Sequence, residues 1–130
     1  METMILESPV EKIAFALVYA EDSATTIDFY KKYFGFVEDT SSKMDGDQIF
    51  GNIGPVGLWI GGGYKKINAT EKDTRATAML KVKSSSQLFN RLKADGVQVF
   101  QDQPIRMKED AHWFQFADLN GNVWDILGNK

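Results

Sequence analysis

The feature that most constrains this chain is an order of elements that occurs twice. Ile13 to Ala20 is an apolar run rich in strand formers, and Glu21-Asp22-Ser23 then supplies capping chemistry for a helix. Within Ala24 to Phe34, Ile27, Tyr30 and Phe34 fall at helical spacing, Lys31 and Lys32 lie on the wet side, and Gly35 ends the helix. Phe36 to Asp39, Gln48 to Ile53 and Val56 to Ile60 read as short strands, parted by the polar turn Ser41 to Asp47 and by Gly54-Pro55. Tyr64 to Thr74 is polar, without period, and reads as a linker. The pattern then restarts. Ala76 to Val82 is a strand and Ser84-Ser85-Ser86 a cap; Leu88, Phe89, Leu92 and Ala94 mark an amphipathic helix closed by Asp95-Gly96. Val97 to Phe100, Ala111 to Ala117 and Val123 to Leu127 complete the second copy, with Leu119-Asn120-Gly121-Asn122 as the last hairpin turn. Ala14-Phe15-Ala16 answers Ala76-Thr77-Ala78 at about 62 residues, and Phe50–Phe116 and Trp59–Asp125 answer each other at about 66.

Composition narrows the chemistry. The chain has 130 residues and no cysteine, so disulfides, thiol catalysis and cysteine-ligated metal are excluded. His112 is the single histidine, which rules out a multi-histidine metal site in one chain. No GxSxG elbow supplies a serine nucleophile, and Gly61-Gly62-Gly63 lacks the Gly-Lys-Ser/Thr of a phosphate loop. A net charge of -3 argues against nucleic acid or an anionic membrane surface as partner. The scattered Lys65, Lys66, Lys72 and Arg75 read as a solvated loop. No window reaches the ~20 apolar residues of a membrane span. Met1 to Glu11 carries acidic and no basic residues, unlike a signal peptide. A cytoplasmic protein is therefore expected.

Four motifs in order give the repeat a family likeness. Asp22 followed by Ile27-Asp28-Phe29-Tyr30, then Phe34-Gly35-Phe36, matches "D…(I/A)xFYxxxLGF". Leu92-Lys93-Ala94-Asp95-Gly96-Val97 matches "LkaaGv", and Phe116-Ala117-Asp118-Leu119-Asn120-Gly121-Asn122 matches "fxDPdGN" with Leu119 in place of proline. The chain resembles the glyoxalase I / bleomycin resistance / extradiol dioxygenase group, the vicinal oxygen chelate superfamily. That resemblance implies an α+β fold: two tandem βαβββ modules form a curved mixed-sheet cup with helices on the convex side. Residues 1–130 are expected to make one domain, with module one at about 12–62 and module two at about 75–128. It also implies a homodimer with clefts near the interface, the commonest oligomer in any case.

The family's metal-dependent members place a ligand in the first and last strand of each module. Carried over, those positions are Phe15, Trp59, Thr77 and Asp125. Only Asp125 can coordinate, and one carboxylate cannot organise an ion that needs three or four N/O/S ligands. Neither metal nor cofactor is therefore expected, and metal-dependent glyoxalase, dioxygenase or fosfomycin-type chemistry is not. By strand alternation Phe15, Leu17, Gly57, Trp59, Thr77, Met79, Asp125 and Leu127 share the cup face, with Trp113 and Gln115 joining if Phe114 and Phe116 face the helices. Glycines 57 and 61 are expected to leave room. Phe15, Trp59, Thr77, Met79, Trp113, Gln115 and Asp125 are thus the candidate ligand-binding residues, suited to a planar or cationic organic molecule. The leading expectation is a metal-free binding protein of the bleomycin-resistance type that sequesters an antibiotic or metabolite. The alternatives are a lyase, isomerase or other enzyme using Asp125 or His112 as acid/base without the metal, and a module whose cup is filled by its own side chains.

Overall fold

Each strand–helix–strand–strand–strand unit closes into its own sheet. The computed structural model describes residues 7–41, 45–69, 75–76 and 78–130. Module one comprises β1 (Ala16–Tyr19), α1 (Ser23–Phe34), β2 (Val37–Glu38), β3 (Gln48–Ile53) and β4 (Val56–Gly61). Its sheet order is β1-β4-β3-β2, with β1 parallel to β4 and the others antiparallel. Module two comprises β5 (Met79–Ser84), α2 (Ser85–Ala94), β6 (Gln98–Val99), β7 (Ile105–Lys108), β8 (Ala111–Ala117) and β9 (Val123–Asn129). Its order is β5-β9-β8-β6, with β5 parallel to β9 and β7 pairing β8.

The helix ends follow their sequence signals. Asp22 caps α1 by accepting from Ala24 N, and Gly35 leaves it in the left-handed region at φ +63° with its N–H on Tyr30 O. Ser84 caps α2 by accepting from Gln87 N. Each helix lies against one face of its sheet. Val18, Leu58 and Ile60 of module one, with Phe114, Phe116, Trp124 and Ile126 of module two, turn to that side and are buried with Phe29, Tyr30, Phe89 and Leu92. The core is shared: Phe34 of α1 stacks on Phe116 of β8 at 5.6 Å, and Phe29 lies 6.1 Å from the same ring. Burying each such ring contributes ~1.5–3 kcal/mol.

A polar clasp on the "fxDPdGN"-like turn joins the modules. Asp118 accepts from Tyr30 Oη at 2.6 Å, from Asn120 N and Asn122 N at 2.9 Å each, and from Asn122 Nδ2. Trp124 Nε1 donates to Tyr30 Oη at 2.9 Å. Asn122 Nδ2 donates to Tyr19 O while Asn122 Oδ1 accepts from Tyr19 N, and Asn120 Oδ1 accepts from Glu21 N. Burial raises the Asp118 carboxyl above its ordinary range against these hydrogen bonds, and burial beside Asp118 raises Tyr30 well above that of a free phenol.

Several expectations change. The first strand is shorter than Ile13 to Ala20, and the first strand of module two runs from Met79 to Ser84 rather than from Ala76. β7 is additional: Ile105-Arg106-Met107-Lys108 does alternate apolar and polar residues, but the strand is four residues long, follows Pro104 and is exposed throughout. Phe50 is not the counterpart of Phe116. Phe50 pairs with Trp59 as Gln115 pairs with Asp125, so Phe50 and Gln115 correspond, one residue from the expected match. The other pairings hold the repeat, since Leu17 opposes Trp59 as Met79 opposes Asp125. Thr77, residues 42–44 of the polar turn and residues 70–74 of the linker lie outside the described residues.

Candidate functional site

The faces away from the helices carry the candidate side chains. On module one Phe15, Phe50 and Trp59 form an aromatic cluster: Phe50 and Trp59 lie 4.7 Å apart and Phe15 meets Trp59 edge-on at 6.1 Å. On module two Trp113 Nε1 donates to Asp125 Oδ1 at 3.0 Å, so the carboxylate's partner is an indole. Gln115 is buried, its backbone N–H on Gln101 Oε1 and its side-chain Oε1 accepting from Gln101 Nε2. Along β1 and β5, Phe15, Leu17, Tyr19 and Met79 are exposed by 39%, 49%, 50% and 51%. His112 turns the other way. It shares its face with Phe114, lines a recess with Ser86, Phe89 and Asn90 of α2, and places Nδ1 3.3 Å from Asp110 O. Asp125 and His112 therefore sit on opposite faces of one sheet.

Register exposes a pairing that sequence reasoning missed. Trp59 Nε1 donates to Gln48 Oε1 at 2.6 Å. Trp59 corresponds to Asp125, and Gln48, opposite Gly61, corresponds to Trp113, opposite Leu127. Both modules thus carry an indole-to-acceptor bond on the same two positions, with donor and acceptor exchanged between strands. Both indole N–H groups are satisfied within the sheet, which leaves the ring faces for packing. The signal was present as two Trp/acceptor pairs, but without register their equivalence was invisible.

Two cavities border these side chains. One, of about 480 Å³, runs between Phe15, just ahead of β1, with Leu17 and Tyr19 of β1, and Ala78, Asn122 and Trp124 of module two. The other, of about 190 Å³, is walled by Leu17, Tyr19, Gln48, Trp59 and Tyr64 over Gly61. Tyr64 is held there by its backbone N–H on Ala20 O and by an edge-on contact of 4.9 Å with Tyr19. Gly57 leaves no room, contrary to expectation: a Cβ there would lie 2.6 Å from Ala14 O and 3.0 Å from the Phe15 ring.

The family's divalent ion does not fit these residues. Phe15 offers carbon, the Trp59 indole is a donor already spent on Gln48, and Asp125 stands alone as a carboxylate. Among the described residues no three His, Asp or Glu side chains come together to hold a metal.

Two βαβββ modules with helices on one side and ligand-sized recesses on the other define a class of cup-like α+β proteins. A model of the Glyoxalase/Bleomycin resistance protein/Dioxygenase superfamily matches residues 12–126, and the chain belongs to that superfamily. Among solved structures it is similar to the fosfomycin resistance protein FosX from Listeria monocytogenes, with 16% identity, TM-score 0.72 and coverage of 93% of this chain and 95% of that one. A superfamily member from Sphaerobacter thermophilus shows 18% identity and TM-score 0.70 over 92% and 98% of the two chains. TioX from Micromonospora sp. ML1 shows 16% identity and TM-score 0.64 over 92% and 99%. FosX has been crystallised with Mn(II) and sulfate. At these identities the likeness is one of fold. A comparison with curated protein sequences finds no match. Among the described residues no helix is long and apolar enough to cross a membrane.

Proposed function

We propose that this chain is a metal-independent small-molecule-binding protein, a cytoplasmic homodimer that holds a flat organic antibiotic or metabolite on its helix-free face. The observation that carries this reading is the fate of the family's ligand positions. Phe15 and Trp59 replace coordinating groups with aromatic surface, and the one carboxylate, Asp125, is held by an indole. What remains is a partly exposed aromatic wall beside recesses, suited to stacking. Phe15, Trp59, Met79, Trp113, Gln115 and Asp125 are the proposed binding residues, with Phe15 and Trp59 as the platform. The Asp125 oxygen not bonded to Trp113 is offered to a donor or cationic group of the ligand. Dimerisation is supported by the exposed apolar edge along β1 and β5, which a second copy can cover.

The test is a tryptophan-fluorescence screen of flat organic compounds followed by variants. Trp59→Ala is expected to weaken the selected compound clearly, since stacking on one ring contributes ~0.5–1.5 kcal/mol beyond area burial. Asp125→Asn is expected to weaken cationic compounds more than neutral ones. Folded variants that bind as well as the parent would refute the reading.

A further inference from the structure

We propose that the recess over Gly61 is a subsite for a neutral flat ring bearing a hydrogen-bond acceptor, and that Gln48 Nε2 is the donor that selects it. This rests on the helix-free face being the binding face and adds the ligand's chemical class and a specificity-determining residue.

Gly61 is the first support. Four glycines lie within strands, and three are forced by backbone: a Cβ would strike Val37 O at Gly51, Ala14 O at Gly57 and Val82 O at Gly128. At Gly61 the nearest atoms are the Gln48 carboxamide at 3.2 Å and the Tyr64 ring at 3.6 Å, both side chains, and φ is not left-handed. Neither conformation nor backbone crowding requires glycine there. A strand glycine of that kind marks a place where something approaches closely. In module two Leu127 stands in the position of Gly61 and Trp113 in that of Gln48.

The walls define the ligand. Tyr19, Tyr64 and Trp59 supply aromatic surface, Leu17 is apolar, and among the described residues no charged side chain lines the recess. A cation would meet no carboxylate there, and an anion no base. Gln48 gives Oε1 to Trp59, and its Nε2 donates to no described residue. It is thus a positioned, unspent donor at the rim of an aromatic box. The volume of about 190 Å³ suits one ring with a small substituent, as a dry cavity of ~150 Å³ accepts benzene. A carbonyl or ring nitrogen in the ring plane meets that donor while the faces lie on Trp59 and Tyr19.

Benzamide and benzamidine test this, being nearly the same shape with an acceptor exchanged for a cationic donor. The full chain labelled with ¹⁵N is titrated with each while the indole N–H resonances of Trp59, Trp113 and Trp124 are followed, assigned by Trp59→Phe and Trp113→Phe. Benzamide is expected to shift Trp59 and to bind at least about fivefold more tightly than benzamidine. Gln48→Glu keeps the acceptor for Trp59 and replaces the free donor by a carboxylate oxygen, so the order is expected to reverse by about tenfold or more. Gly61→Ala, which puts a methyl on the recess floor, is expected to weaken benzamide several-fold. Trp124, bonded to Tyr30 in the core, reports in every variant that the fold is intact. Equal affinities, or an unchanged order in Gln48→Glu, would overturn the proposal. Benzamide shifting Trp113 and not Trp59 would also overturn it while leaving the binding face standing. No shift at either indole sinks the subsite, and the wider fluorescence screen then decides the binding face separately.

Discussion

Asp118 carries a prediction that can be worked from its contacts. Its side chain is 7% exposed and receives Tyr30 Oη, Asn120 N, Asn122 N and Asn122 Nδ2, tying α1 of module one to the last turn of module two. Asp118→Asn keeps the shape but turns one acceptor oxygen into an amine facing donors. At least two donors lose an acceptor at that oxygen, each costing ~1–3 kcal/mol, so the loss is expected at about 2–6 kcal/mol at neutral pH. That is a large part of the roughly 5–15 kcal/mol that holds a domain of this size. Urea unfolding followed by tryptophan fluorescence measures it, with the slope checked for constancy. The acid side has a definite sign. Burial raises the carboxyl's folded pKa above its ordinary value of 3.8, so the folded state binds that proton more readily than the unfolded chain. The stabilisation that follows from this shift is fully present below about pH 3.8, and it is lost as pH rises through the higher folded value. The carboxamide that Asp118→Asn introduces does not titrate. The stability gap between parent and variant is therefore expected to widen as pH falls from about 7 towards 4. A variant within about 1 kcal/mol of the parent refutes the clasp. A gap that narrows in acid refutes the claim that burial outweighs the hydrogen bonds.

Two other outcomes are expected. After dialysis against chelator-free buffer, elemental analysis should find no stoichiometric zinc, nickel, iron or manganese, and one metal per chain would overturn the metal-independent reading. Light scattering at tens of micromolar should give about twice the 14.6 kDa chain mass, whereas a mass near the monomer would count against the paired β1 and β5 edges.

Punctuation was legible in the sequence wherever one residue has one local job. Asp22 and Gly35 bound α1, and the Gly54-Pro55 turn sits between β3 and β4 with β3 at its expected limits. Register was legible only in part. The two Phe residues suggested that Phe50 answers Phe116, but likeness of side chain misled. Phe50 faces Trp59 away from the helix, whereas Phe116 packs beneath α1. A tight turn joins β3 to β4 and the longer Asp118–Asn122 turn joins β8 to β9, and this difference shifts the correspondence by one residue. Gly57 and Gly61 looked alike because sequence does not say what approaches a glycine. One is closed by Ala14 and Phe15, while the other lies under side chains alone. Asp118 was visible as a motif residue, but its partner Tyr30 lies in the other module, and only the shared core brings them together.

The exchanged tryptophans give the two halves of the proposed binding face different polar groups. If both modules had kept tryptophan on the last strand and glutamine on the strand before it, the two faces would offer the same donor and the same acceptor. Here the hydrogen bond is preserved while its direction across the sheet is reversed, so each module keeps a satisfied indole at no cost to the ladder. What changes is the polar atom left over. Module one presents an amide donor from Gln48, and module two a carboxylate oxygen from Asp125. Beside the donor stands Gly61, under the recess, and in the matching position beside the acid stands Leu127. A ligand spanning both halves would meet a donor in an aromatic recess at one end and an acceptor beside Leu127 at the other. On the proposed binding face, that difference would fix its orientation by polarity.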